Sequence, residues 1–240
     1  MRTKAGVLFN FAICGGVILC LLNGCVRLER GYPEKRYFVI DVSRGGEVCP
    51  AVADGTLKIG TFPVSPQYEG RGFVYYKGGS MYESDFYNEF FISPGAMLTE
   101  EVRQWVAASG LFRHVADLSG SREPTYFLGG RITALYGDYS KASAPKAVLE
   151  AECLLTRDVS VGTDKLLQNR YRREVLLDGS TPRALVAGWN EALREILTDL
   201  EKDLRDRLKS DRGADRGHGN EVPVSLTSSR VDNTLIDKQT

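Results

Sequence analysis

The sequence predicts an α+β fold, a mixed and largely antiparallel sheet with two main helices packed on one face. Three observations carry this. Thr125–Tyr139, Lys146–Val159 and Lys165–Leu177 are long strand-like stretches. In the middle one Ala147, Leu149, Ala151, Cys153 and Leu155 alternate against Val148, Glu150, Glu152 and Thr156. In the last, Leu167, Tyr171, Val175 and Leu177 alternate against Gln168, Arg170, Arg172 and Glu174. A period of two with one charged face marks antiparallel strands wet on one side. Turn signals at Ala142–Pro145 and Gly162–Asp164 join these stretches as a meander. Two other stretches change period. Met97, Leu98, Val102, Trp105 and Val106 follow Ser93-Pro94, and Leu185, Trp189, Leu193, Ile196, Leu197, Leu200 and Leu204 follow Thr181-Pro182, each at helical spacing. Serine or threonine followed by proline is a helix-start signature, and Gly110 stands where the first helix should stop in a left-handed residue.

The chain before this domain has its own logic. Arg2 and Lys4 precede an almost wholly apolar run from Phe11 to Leu22, and Leu22-Asn23-Gly24-Cys25 closes it. The run is too short to span a bilayer comfortably and has the layout of a secretory signal. A signal ending on cysteine reads as a bacterial lipobox, so residues 1–24 are expected to be cleaved and Cys25 to be acylated. The membrane attachment is then a lipid anchor and not a spanning helix. A signal with an incidental cysteine and an uncleaved anchor are the alternative readings. Val26, where the enterobacterial sorting rule would want Asp for inner-membrane retention, points to the periplasmic face of the outer membrane. Residues 25–35 form a polar tether that reaches at most about 33 Å.

From there the elements follow in order. Arg36–Val42 (RYFVIDV) is aromatic and β-branched, a first strand. Thr56–Val64 is a second, with Pro63 marking an end or an edge. Gly72–Phe91 holds eight of the chain's 23 aromatics, more than a third of them in one stretch. Phe73–Lys77 and Met81–Tyr87 should form a hairpin turning at Gly78-Gly79. Leu111–Asp117 is a short strand entered directly from the first helix. Gly129-Gly130 marks a bulge or a close backbone contact. The domain is expected to span 36–208, and the aromatic-free tail 209–240 to be disordered.

Composition and motifs narrow the function. Removing the signal leaves 216 residues with 29 basic against 31 acidic side chains, and so no basic excess for nucleic acid. The two histidines, His114 and His218, make no metal-ligand spacing, and no cofactor or metal is expected. No nucleophile elbow, P-loop or dinucleotide fingerprint occurs. Asp138 or Glu152 could serve as a glycosidase carboxylate, but nothing in the sequence pairs them. A non-enzymatic role is the expectation.

At this point the order of segments resembles a family. The lipobox, the tether, RYFVIDV, TLKIGTFPV, the FVYYKGG…FYNEFFISP block, the helix ending in SGLF and the terminal ALVAGWNEALREILTDL are together similar to the ABC-type transport auxiliary lipoproteins. The resemblance covers roughly 36–208. It implies a non-enzymatic α+β lipoprotein that serves an ABC transporter carrying an MCE-domain periplasmic protein, as in the paraquat-inducible system, and helps move phospholipid between the envelope membranes. Here the block is tyrosine-rich where many members have a tryptophan. A structural or assembly-factor envelope lipoprotein is the alternative.

Two further expectations attach to named residues. Cys49 and Cys153 are the mature thiols left besides Cys25, in a compartment that permits disulfides. They are either bridged, or Cys153 is a buried small hydrophobe on the apolar phase of its strand. Eight aromatics exceed what one face of a two-stranded hairpin can bury, because neighbours such as Tyr75 and Tyr76 point to opposite sides. Some rings should then be exposed unless a helix and a loop cover both sides. Tyr76, Tyr82 and Tyr87 are the candidate interface, toward an identical subunit or an MCE partner, with a homo-oligomer the more economical choice.

Overall fold

The computed structural model describes residues 34–47, 50–116, 123–159 and 162–218. It is an α+β domain. Its strands are β1 (Arg36–Phe38), β2 (Ala53–Ile59), β3 (Gly72–Gly78), β4 (Met81–Phe90), β5 (Phe112–Val115), β6 (Tyr126–Asp138), β7 (Lys146–Val159) and β8 (Gly162–Leu176). The helices are α1 (Pro94–Ser109) and α2 (Pro182–His218), and Pro66–Tyr68 makes one 3-10 turn. The sheet is mixed. β3–β4, β6–β7 and β7–β8 are antiparallel, and shorter parallel ladders join β1 to β4, β2 to β5 and β6, and β3 to β6.

β6 organises the sheet. One edge pairs with β7 along its whole length. The other edge is shared: β2 takes Tyr126–Leu128, an isolated bridge joins Val64 to Ile132, and β3 takes Gly137 and Asp138. Gly130 allows this crowding. A Cβ there would stand 2.4 Å from both the Glu152 carbonyl and the Phe62 ring. The Gly129-Gly130 pair therefore marks a close contact, and the register shift of β6 falls later, between Ile132 and Ala134.

Both helices cover the same face. Trp189 of α2 meets Phe73 edge-on at 5.0 Å and Phe90 at 5.4 Å, and all three rings are buried. On α1, Thr99 Oγ1 accepts the Phe62 N–H at 2.9 Å. Trp105 Nε1 donates to Glu201 Oε2 at 3.0 Å and ties the two helices together. At its start α2 is capped by Thr181, whose Oγ1 accepts the Ala184 N–H. Ser93 makes no such side-chain bond, and α1 ends at Gly110 in the left-handed region (φ 70°).

Several expected boundaries differ. The second strand is Ala53–Ile59 in place of Thr56–Val64, and β8 already starts at Gly162 where a turn over 162–164 is expected. Two larger differences follow. The first strand keeps only Arg36–Phe38. Its continuation leaves the sheet and crosses the helices, with Ile40 and Val42 buried. Its backbone donors find side chains in place of a ladder: Ile40 N–H meets Met97 Sδ, Asp41 N–H Asn190 Oδ1 and Val42 N–H Glu101 Oε2. An extended, β-branched segment suits either setting, so its sequence does not separate them. The second difference is α2, which continues past Leu208 to His218 where a disordered tail from 209 is expected. Leu208 is buried, and the next turn is held by pairs of Asp211 with Arg157 (2.5 Å) and of Arg212 with Asp54 (3.0 Å). The expected disorder of the rest of the tail falls on 219–240, outside the described residues.

Candidate functional site

The aromatic hairpin β3–β4 distributes its rings by strand alternation. Phe73 and Phe90 point into the helix-covered core. Tyr75 points the same way at the margin, where its hydroxyl donates to Asp85 Oδ2 at 2.7 Å and its ring meets Tyr139. Burial, then the bond and charge of Asp85, push the Tyr75 phenol well above its ordinary value.

On the open face Tyr76 and Tyr82 are cross-strand partners with ring centroids 5.0 Å apart. Two more tyrosines complete the cluster: Tyr136 lies 5.9 Å from Tyr82, and Tyr68 stacks on Tyr136 at 5.6 Å. Tyr68 is buried beneath them, whereas Tyr82 is 50% exposed. Burial, then the Tyr68 hydroxyl, raise the Tyr82 phenol. Beside the cluster runs a ladder of charges across β6, β7 and β8. Glu152 pairs with Arg131 and Arg170, Glu150 with Arg172 and the Thr133 hydroxyl, and Glu174 with Lys146 and Arg172. Arg172 Nη2 also donates to the Tyr136 hydroxyl at 3.3 Å, which joins ladder to cluster.

Tyr87 lies elsewhere. Between the pairs Val74–Ser84 and Gly72–Glu89, β4 places residues 85–88 opposite Phe73 alone. This wide bulge is held by Asp85, whose carboxylate accepts from the Tyr87 and Asn88 N–H groups, from Asn88 Nδ2 and from Tyr75. Burial pushes the Asp85 carboxyl up, but those bonds outweigh it and hold it below the usual range. The bulge turns Phe86 and Tyr87 outward, their rings edge-on at 5.3 Å. Tyr76 and Tyr82 are thus brought together, and Tyr87 belongs to a second exposed patch.

The remaining expected site residues are placed as follows. Cys25 and Cys49 lie outside the described residues, and the Cys49–Cys153 pairing with them. Cys153 is buried, and burial pushes its thiol up to about 12. Register puts Asp138 opposite Lys146 and Glu152 opposite Arg131, six residues further along β7. At about 3.4 Å per residue that is roughly 20 Å, wider than either glycosidase geometry. Among the described residues no three His, Cys, Asp or Glu side chains group as metal ligands, and no helix is long and apolar enough to cross a membrane. The sequence reading missed Tyr68 and Tyr136. Tyr136 carried a signal, because it falls on the wet phase of β6 between Ala134 and Asp138.

No family model matches the chain, and no curated protein matches it. Solved structures do. Protein XCC0632 from Xanthomonas campestris, described with the family model DUF330, superposes with a TM-score of 0.63 at 15% identity, over 74% of this chain and 99% of its own. A second, uncharacterized protein superposes with a TM-score of 0.56 at 14% identity, over 71% of this chain and 99% of its own. At these identities the likeness is one of fold: the sheet with two helices on one face is shared with proteins whose described function is open.

Proposed function

We propose that the protein is a non-enzymatic outer-membrane lipoprotein of the ABC-type transport auxiliary kind. Anchored through Cys25, it serves an ABC transporter whose periplasmic component carries MCE domains and which moves phospholipid between the envelope membranes. The observation that carries this reading is the open sheet face. Half of the aromatic block is left uncovered by the helices, and a tyrosine cluster with a polar rim is chemistry suited to docking a protein. The sequence resemblance supplies the identity of the transporter, and the shared fold is compatible with it. The Tyr76–Tyr82 cluster is the contact, either between copies of this chain or with the MCE protein, and a closed ring of copies suits a lipid conduit.

The test has two arms. A clickable fatty acid fed to cells should label the wild-type chain and leave Cys25→Ser unlabelled. Crosslinking in the envelope should then capture an MCE-domain protein encoded beside it, and disruption of either gene should alter phospholipid distribution between the membranes in the same way. Equal labelling of both forms removes the anchor. A labelled chain that crosslinks only to outer-membrane assembly components favours the structural or assembly-factor role.

A further inference from the structure

A second exposed patch lies at the corner of the sheet where the chain enters the domain. β1 is the edge strand beside β4, and both end among uncovered rings. Phe86 is 67% exposed, Phe91 62% and Tyr37 51%, with Val39 and Ile92 also exposed. The patch is continuous. Tyr37 meets Phe91 edge-on at 6.3 Å, and Lys35 Nζ stands 4.2 Å above the Phe86 ring. Arg71 lies 5.4 Å over the Tyr37 ring. Around the edge, Arg36 and Arg183 line a shallow groove with Tyr37 and Pro182. Glu89 is the carboxylate that Lys35 and Arg71 share. Asp85 of the bulge and exposed Glu34 are the other acids here, so Lys35, Arg36, Arg71 and Arg183 outnumber the carboxylates at this corner by four to three.

Two features decide what this surface meets. Its chemistry is that of a membrane interface, where amphipathic rings sit at headgroup level and Lys and Arg meet anionic phosphates. Its position matters equally. The first strand begins at Arg36, so the chain between Cys25 and this corner is about ten residues and reaches at most roughly 33 Å. Anything tethered that closely to an acylated cysteine is held beside the bilayer. The bulge at 85–88 points the same way, because Asp85 commits its hydrogen bonds to a backbone excursion that presents Phe86 and Tyr87 to solvent.

Resting on the lipid-anchored reading above, we infer that the β1–β4 corner is a second membrane contact. Phe86, Phe91 and Tyr37 enter the interface of the anchoring leaflet, and Lys35, Arg36 and Arg71 engage anionic phospholipid headgroups. The contact fixes the orientation of the domain. It points the helices and the far end of the β3–β4 hairpin away from the bilayer edge on which the corner sits.

The experiment uses the full acylated chain reconstituted in vesicles of phosphatidylethanolamine and phosphatidylglycerol doped with bromine-labelled lipid. Phe86→Trp, Phe91→Trp and Met81→Trp are compared. Met81 is an exposed position at the opposite end of the same strand, and native Trp105 and Trp189 are buried and give a constant background. Phe86→Trp and Phe91→Trp should shift to the blue and lose most of their added emission to bromine, and Met81→Trp should not. The loss should be smaller on phosphatidylcholine alone, and equal loss there overturns the anionic assignment. A chain that floats with the vesicles but is quenched no more at positions 86 and 91 than at 81 overturns the contact alone. Crosslinking of those two positions to a second copy overturns it as well. A chain that does not float removes the anchor, and this contact with it.

Discussion

The two faces of the sheet receive rings from the same stretch of sequence and treat them differently. On the covered face Phe73 and Phe90 lie against Trp189 of α2 with almost no surface left to water. On the open face Tyr76, Tyr82 and Tyr136 make ring contacts of similar length, yet only Tyr68 of that cluster is buried. Ring-to-ring distance is therefore not what separates core from surface here. A second layer is. Within these two clusters phenylalanine and tryptophan take the covered side and tyrosine the open one, where the ring can keep a wet hydroxyl. The exposed Phe86 and Phe91 belong to neither cluster and lie at the corner of the sheet.

The comparison is broken most severely by removing the second layer. Trp189→Ala should cost about 3–5 kcal/mol, as large aromatic truncations in cores do. The midpoint of denaturant unfolding would report it. Tyr82→Ala measured the same way should lose about 1 kcal/mol, the scale of an aromatic pair. Equal losses would mean that the open face is packed as a core and that something absent from the single chain covers it.

Next in size is the charge cluster that joins the helices to the segment crossing them. Glu201 is 8% exposed and takes two bonds from Arg44, one from Trp105 and one from Arg205. Glu201→Ala strands those donors and should cost about 3–5 kcal/mol. Burial pushes the Glu201 carboxyl up, but the bonds and charge of Arg44, helped by Trp105 and Arg205, hold it below the usual glutamate range. The native state thus gives up this proton more readily than the unfolded chain. The contribution is complete above the ordinary glutamate value and disappears as pH falls through the lower, folded one. Thermal melts across acid pH should show Glu201→Gln far below wild type at neutrality and converging on it in acid. A constant gap would assign the loss to packing.

What the sequence made legible follows from this division into layers. Period two revealed β7 and β8 and their wet face, because one side of each is lined with charge. β6 was placed beside them as a long strand-like stretch, and helical spacing revealed α1 and α2 as far as Leu204. Local pattern could not tell that 39–42 leaves the sheet, since an extended apolar segment looks the same against helices as against strands. The bulge was equally hidden. Asp85 bonds locally to the Tyr87 and Asn88 N–H groups, but an Asp that accepts from the next few residues marks an ordinary turn as readily as a bulge. Its bond to Tyr75 on the neighbouring strand has no local signature. Tyr76, Tyr82 and Tyr87 were grouped by proximity in sequence, and the bulge separates the third from the other two. The continuation of α2 was missed because the turn after Leu208 is held by Arg157 and Asp54, which lie on strands far from it in the chain.

A milder test sharpens the open face. Tyr76→Ser combined with Tyr82→Ser removes two rings that no helix covers, so the fold should persist with a loss of about 1–2 kcal/mol. If the cluster joins copies of the chain, the assembled mass of the protein should fall to that of the protomer. Light scattering reads the mass, and a melt on the same sample reads the fold. An unfolded double variant would make these rings core, and an intact assembly would move the contact elsewhere on the surface.

The smallest effect belongs to the ladder beside that cluster. Arg172 links Glu150, Glu174 and the Tyr136 hydroxyl, but its side chain is 40% exposed and so its charges are shared with water. Exposed pairs contribute about 0.2–1 kcal/mol and fade when salt shortens the screening length to a few Å. Arg172→Gln should therefore lower stability by about 0.5–1 kcal/mol in dilute buffer, and by almost nothing near 1 M salt. The same variant reports on pH. Burial pushes the Glu150 carboxyl up, but the Thr133 hydroxyl and Arg172 outweigh it, and Lys146 and Arg172 lower Glu174. Both contributions exist above the ordinary glutamate range and are lost as pH falls through the folded values, so the deficit of Arg172→Gln should shrink in acid. A deficit that survives both salt and acid would show that Arg172 acts through its stem and its bond to Tyr136, as a wall of the tyrosine cluster, and then the same variant should weaken any assembly that Tyr76→Ser and Tyr82→Ser dissolve.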